Sequence, residues 1–196
     1  MSLDHAILGF LADGDLSGYD IKTRCVDRDA SHFWTADQAQ VYRTLDRLES
    51  ARHLTSKQKI QTGKPNRKVY RITQAGRVHL DDWLATSHAL PPYRDAFLIQ
   101  VYFGSELSDE ALADVLERTR VQRQTRLSAL RERATSHAME VGSSANRPAL
   151  MHRMTLDAAM AAERAAIDWL DDSLDTLRSL ATESGSQRQL FREDQA

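Results

Sequence analysis

Leu3, Ile7, Leu8 and Leu11 recur at the spacing of one helical face, and Asp13-Gly14-Asp15 closes that segment with turn formers. A second helix is expected from Ser17, carrying Tyr19, Ile21 and Cys25 inward. Thr35-Ala-Asp-Gln38 has the form of a capping box, in which the Thr35 hydroxyl accepts from the Gln38 N–H and the Gln38 side chain reaches back, so a third helix is expected to open at Ala36. Along it Val41, Leu45 and Leu48 form one stripe, while Ala39, Arg43, Arg47 and Ser50 lie opposite, with Gln40 at the margin. From Leu54 to Gln61 successive side chains alternate between two faces, with Lys57 and Lys59 on one side, and Lys68 to Thr73 is rich in β-branched and aromatic residues. Thr62-Gly-Lys-Pro-Asn-Arg67 between them supplies turn formers, which predicts a β-hairpin. Thr73 can cap a fourth helix reaching about Ser87 and offering Val78, Leu80, Trp83 and Leu84 for burial.

Leu90-Pro-Pro92 is the clearest boundary, because two successive prolines cannot continue a helix. Beyond it, helices are expected at about Asp95 to Ser105, Ser108 to Met139 and Pro148 to Thr182, all within one mainly α chain. The pattern thus divides into an N-terminal domain over 1–89, a helical domain over 90–182 and a short flexible polar tail over 183–196. In the last helix Leu156, Met160, Glu163, Ile167, Leu170, Leu174 and Leu177 step alternately by four and three, a heptad seam with one charged interruption. That seam either packs on helices of its own chain or joins two subunits, with Glu163 offering a polar choice of register; the two roles can coexist.

The 196 residues carry a net charge of -2, yet residues 40–71 hold nine Lys or Arg against Asp46 and Glu49, a local net charge of +7 that leaves -9 for the rest. Three helices followed by a basic hairpin is the order of a winged helix-turn-helix, in which the third helix enters the DNA major groove and the hairpin tip follows the backbone. Lys64, Arg67 and Lys68, with Asn66 as a hydrogen-bond donor, stand at or beside the tip and are assigned to phosphate. Gln38, Gln40 and Arg43 lie in the first half of the third helix, where Gln suits adenine and Arg suits guanine through paired hydrogen bonds. Arg47, a turn further on, either contacts the backbone or pairs with Asp46 or Glu49.

The segments Leu8-Gly-Phe-Leu-Ala-Asp-Gly-Asp-Leu-Ser-Gly-Tyr-Asp-Ile21, Val41-Tyr-Arg-Thr-Leu-Asp-Arg-Leu-Glu49 and Gly63-Lys-Pro-Asn-Arg-Lys-Val-Tyr-Arg-Ile-Thr-Gln-Ala-Gly76 keep their order and spacing. In them the chain resembles the PadR family of bacterial transcriptional regulators over nearly all of residues 3–85. The resemblance implies a dimeric repressor, less often an activator, whose all-helical C-terminal domain ends in a helix joining two subunits. It also implies a small, often aromatic or hydrophobic, effector near the dimer interface and a pseudo-palindromic operator in double-stranded DNA. It favours a phosphate-donor role for the Tyr42 hydroxyl, which by helical angle could equally belong to the core. The exit of the third helix departs from the family, reading Ala51-Arg-His-Leu54 where a Gly-Leu-Ile-like sequence is common, so Arg52 could add a phosphate contact.

Composition and motifs narrow the alternatives. The chain is 41% hydrophobic and 28% charged, too polar for a membrane span, and its N-terminal apolar run lacks a basic leader, so a cytoplasmic protein is expected. Cys25 stands alone and reads as a small buried hydrophobe in a reducing compartment. No HExxH or GxSxG occurs, and Gly63-Lys64 lacks the rest of a phosphate-binding loop. His79 and Asp82 on one helix face make at most a surface pair. Neither an enzyme nor a metal or cofactor site is therefore expected. Phe97, Tyr102, Phe103 and Trp169 could line an aromatic effector pocket, although ordinary packing accounts for each, as it does for Trp34 and Trp83. The rival reading is a helical interaction module that kept a winged-helix shape and no longer binds DNA. If each subunit neutralises three or four phosphates, a dimer's affinity should fall with salt at a log–log slope near -6.

Overall fold

In the computed structural model, which describes residues 2–60, 67–90, 92, 94–141 and 147–193, the chain separates into two compact units, Met1–Pro91 and Pro92–Ala196. The division falls at the expected diproline. Helix α1 (Ser2–Ala12) buries Ile7, Leu8 and Leu11, as its spacing predicts. A two-residue strand β1 (Leu16–Ser17) leads into α2 (Gly18–Asp20), which continues as a π-helix over Ile21–Asp29. Ser17 caps this segment in a box with Asp20. Ile21, Cys25 and Val26 face the core, an arrangement that the wider π turn permits for residues five apart. Tyr19, expected inward, is instead 66% exposed, because a position two residues before Ile21 points to the far side of the helix. Burial pushes the Cys25 thiol up to about 11, so it is an inert apolar filler.

Helix α3 (Gln38–Ser50) starts two residues later than the sequence suggested. The competing Asp37-Gln-Ala-Gln40 pattern forms the capping box in place of Thr35 to Gln38: the Gln40 N–H donates to Asp37 Oδ1 at 2.7 Å, and Gln40 Oε1 accepts from the Asp37 N–H at 2.9 Å. A carboxylate is the stronger acceptor at a helix N-terminus, where the macrodipole favours negative charge. Val41, Leu45 and Leu48 are buried as expected, each contributing about 1.5–3 kcal/mol of apolar transfer free energy.

At its far end α3 closes in a Schellman motif. Arg52 takes φ 62, its N–H donates to Glu49 O, and the His53 N–H donates to Leu48 O. The glycine-like exit shape is therefore kept without a glycine. Because a left-handed backbone costs an L side chain roughly 1 kcal/mol, Arg52→Gly is expected to raise unfolding stability by about 0.5–1 kcal/mol in denaturant titration; a loss of that size would show that the Arg52 side chain is itself stabilising.

Strands β2 (Leu54–Lys59) and β3 (Arg67–Ile72) form the expected hairpin, antiparallel from Leu54 opposite Ile72 to Lys59 opposite Arg67. The sheet gains an unexpected third member, since β1 pairs with β3 (Leu16 opposite Tyr70, Ser17 opposite Val69), giving the order β1-β3-β2. Helix α4 (Gln74–Ala85) is capped by Thr73, whose Oγ1 accepts from the Gly76 N–H. Of its four candidate core residues Leu80 is buried and Trp83 half-buried, but Val78 and Leu84 are exposed. Rings take over much of the packing there: His53 stacks on His79, His5 on Trp83, and Trp83 on His88. His5 Nε2 and His79 Nε2 lie 3.2 Å apart, so His79 is tied to α1 rather than to Asp82.

In the second unit α5 (Ala96–Tyr102) is capped by Asp95 and followed by a 3-10 turn (Gly104–Glu106), then α6 (Asp109–Val141) and α7 (Arg147–Glu193). The long helices pack antiparallel. Leu127, Leu130 and Ala134 meet Leu156, Met160 and Ile167; Leu116 meets Leu170 and Leu174, with Phe97, Val101, Leu112 and Leu177 around them. Helix α7 runs to Glu193 instead of ending near Thr182 in a flexible tail, since residues 183–193 contain no proline and a single glycine among good helix formers.

The heptad seam takes the first of its two expected roles, packing on α6 of the same chain. Its charged member, Glu163, is 4% exposed and accepts from Arg123 Nη1 at 3.2 Å and Arg126 Nε at 3.1 Å, so its polar register is set within the hairpin. Buried pairs of this kind are replaceable by apolar side chains but not by a void. Glu163→Met is expected to keep the thermal midpoint within a few degrees of wild type, whereas Glu163→Ala loses about 2 kcal/mol. Equal losses in the two variants would contradict this reading.

Candidate nucleic-acid interface

The outer face of α3 and the hairpin belong to one unit and provide the surface that sequence assigns to DNA. On α3, Gln38 and Arg43 are exposed and make no hydrogen bond or ion pair with another described side chain. Gln40 is exposed too, but its side-chain oxygen is committed to the cap, leaving only its amide N–H groups for a base. Tyr42 is 38% exposed and its ring lies on Gly18, where a Cβ would come within 2.7 Å of Cε1. The ring therefore helps to seat α3 on α2. Arg47 pairs with Asp4 of α1, not with Asp46 or Glu49.

The hairpin separates cations that the sequence grouped together. The register places Lys57, Lys59, Arg67 and Arg71 on one face and Lys68 on the other, toward α3. Lys68 Nζ donates to Glu49 Oε2 at 2.7 Å and sits 5.0 Å from the Tyr70 ring centroid. Glu49 also accepts from Ser56 Oγ, and hydrogen bonds from Lys68 and Ser56 hold its carboxyl below the usual range. One acid thereby ties α3 to both strands. On the opposite face Arg71 grips Asp15 through two parallel bonds, Nε to Oδ1 at 2.8 Å and Nη2 to Oδ2 at 2.7 Å, which lowers the pKa of Asp15. Arg67 Nη1 lies 3.6 Å from Asp20 Oδ2, whose pKa is lowered mainly by its hydrogen bond from Ser17 and further by Arg67. Lys57 and Lys59 form no ion pair with a described residue. The expected tip contacts Lys64 and Asn66 lie outside the described residues.

The acids Asp4, Asp15 and Asp20 were absent from the sequence-level site. Asp20 could have been found, because Ser17-Gly-Tyr-Asp20 is itself a capping-box pattern that fixes where the carboxylate stands. For Asp15 and Asp4 no local signal exists: their partners lie 56 and 43 residues away.

A helix with an exposed polar face, joined to a basic three-stranded wing and followed by a helical unit, defines a winged-helix DNA-binding protein. Residues 7–82 match the model of the transcriptional regulator PadR-like family, and residues 93–178 match that of the virulence activator alpha C-terminal region. The chain is 33% identical over 176 residues to the negative transcriptional regulator PadR of Bacillus subtilis, covering 88% of this chain and 95% of the relative. It is likewise 33% identical over 195 residues to a probable transcriptional regulator of Mycobacterium tuberculosis, covering 91% and 98%. The crystal structure of Bacillus subtilis PadR in complex with operator DNA superposes with a TM-score of 0.80 at 31% identity over 90% of this chain and 99% of that one; its complex with p-coumaric acid gives 0.78 at 30% over 91% and 99%. The chain belongs to the PadR family of transcriptional regulators. Among the described residues no helix is long and apolar enough to cross a membrane.

Proposed function

We propose that this regulator is a cytoplasmic, homodimeric, ligand-responsive repressor that reads a pseudo-palindromic operator. The observation that carries the reading is the pairing of outward Gln38 and Arg43, which bond to no other described side chain, with a basic wing in the same unit. Gln38 and Arg43 read base edges, Gln40 adds an amide donor, and Lys57, Lys59, Lys64, Asn66 and Arg67 follow the backbone. The Tyr42 hydroxyl, Arg47, Lys68 and Arg71, the last on the same wing face as Arg67, are further backbone donors, and Arg47, Lys68 and Arg71 become so after exchange of their carboxylate partners. The likeness to a PadR bound to operator DNA supports this assignment.

Dimerisation belongs to the helical unit. Leu156, Met160, Glu163, Ile167, Leu170, Leu174 and Leu177 serve it by building the α6–α7 hairpin. Apolar side chains left outside that hairpin, Ile99, Tyr102 and Phe103 at the α5 end and Leu150, Met151 and Met154 on α7, are available to a second copy. For the effector, a cavity of about 540 Å³ is lined by Phe97, Val115, Arg118, Arg123 and Arg126. An aromatic wall beside guanidinium groups suits a small aromatic carboxylic acid, in keeping with the p-coumaric acid bound by the Bacillus subtilis protein.

Purified protein mixed with fragments of its source genome is expected to retain a few discrete fragments sharing an inverted repeat, and to release them when an aromatic acid that raises its melting temperature is added. Retention of no fragment, with a protein partner co-purifying instead, would favour the interaction-module alternative.

A further inference from the structure

The charge tally of residues 40–71 describes a bare cationic surface, but the fold brings acids onto four of its cations. Asp4 holds Arg47, Asp15 holds Arg71 through two bonds, Asp20 lies beside Arg67, and Glu49 holds Lys68. With the three acids from α1, the β1 turn and α2 included, the local charge falls from +7 to +4. These carboxylates occupy the positions on guanidinium and ammonium groups that a phosphate oxygen would take, and they offer the same hydrogen-bond geometry.

We propose that Asp15 and Glu49 are specificity-determining residues that restrain sequence-independent DNA binding by competing with phosphate for Arg71 and Lys68. The inference rests on the DNA-binding reading above. A phosphate that reaches Arg71 must displace Asp15, and the bared carboxylate then gathers a cation from solution. The cation released from DNA is thus taken up again, and the exchange contributes little of the salt-dependent affinity that a bare arginine gives. Binding to arbitrary duplex draws on every available cation in many registers, so it loses most from this restraint. An operator complex fixes one register through base-edge contacts from α3, which the carboxylates leave untouched. The two acids suit this role for different reasons: Asp15 is joined to Arg71 across the solvent-facing side of the sheet, and Glu49 stands on α3 itself, between the base-reading helix and the wing.

The test uses the full chain with Asp15→Asn and Glu49→Gln, singly and together, titrated onto a genomic fragment retained by wild type and onto a scrambled duplex of equal length between 50 and 300 mM salt. Each substitution is expected to tighten scrambled-duplex binding about three- to tenfold at 100 mM, to steepen the log–log salt slope by about one for each freed cation, and to lower the ratio of retained-fragment to scrambled affinity. Adding Arg71→Gln to Asp15→Asn should return the slope to its wild-type value. An unchanged scrambled-duplex slope, or weaker binding to both duplexes, would overturn the proposal, the latter by showing that the carboxylates position the cations for DNA. Wild-type protein that binds neither duplex at 50 mM salt would instead refute the DNA-binding reading on which the proposal stands.

Discussion

Gly76→Ala is expected to lower the thermal midpoint of the N-terminal unit by about 15 °C. A Cβ at residue 76 would lie 2.3 Å from the His53 carbonyl oxygen, far inside van der Waals contact, and the obstacle is backbone rather than a side chain that could swing away. That oxygen accepts from the Thr73 N–H at 3.0 Å, and the Thr73 hydroxyl, 2.8 Å from the Arg52 carbonyl oxygen and 3.0 Å from that of His53, accepts from the Gly76 N–H. Moving His53 away therefore breaks the junction that joins the exit of α3, the start of β2 and the cap of α4. Overpacking and the loss of one or two hydrogen bonds together cost about 3 kcal/mol, which for a unit of this size corresponds to the stated shift. Circular dichroism melting checks it. A midpoint within about 4 °C of wild type would mean that the junction yields where the geometry says it cannot.

The second large effect concerns choice of sequence. Arg43→Ala is expected to weaken operator binding ten- to a hundredfold while changing scrambled-duplex binding by less than threefold. Arg43 stands on the exposed face of α3, six residues past the Asp37 cap, and no described acid holds its guanidinium, in contrast to Arg47, Arg67 and Arg71. A lost bidentate contact to a base edge is worth about 1–3 kcal/mol of discrimination. A binding-site selection with the variant should return a motif degenerate at the contacted position. Uniform weakening on all sequences would reassign Arg43 to the phosphate backbone.

The parts legible in the sequence are those set by local periodicity or by a capping side chain. Val41, Leu45 and Leu48 face the core and Thr73 caps α4, because a helical stripe and a hydroxyl cap need only neighbours in the chain. Strand β1 is too short to show alternation, and it exists because β3 offers an open edge. At the start of α3 two overlapping capping patterns, two residues apart, competed, and the carboxylate prevailed over the hydroxyl. The seam on α7 was legible as an apolar stripe, but a stripe does not name its partner; α6 supplies it, together with Arg123 and Arg126 for Glu163. At the candidate interface the cations were countable from the sequence, whereas Asp4 and Asp15, which hold Arg47 and Arg71, come from distant positions, and Asp15 became visible only once β1 lay beside β3. Arg67 and Lys68, assigned together to phosphate, stand on opposite faces of the wing, because adjacent residues in a strand point opposite ways.

The most direct test of DNA recognition by this chain is the affinity of the purified protein for a retained genomic duplex, measured by fluorescence anisotropy from 50 to 300 mM salt. The expected result is tight binding that falls with a log–log slope near -6 and a clear preference over a scrambled duplex throughout the range. A slope near zero, or equal affinity for both duplexes at every salt concentration, would contradict it.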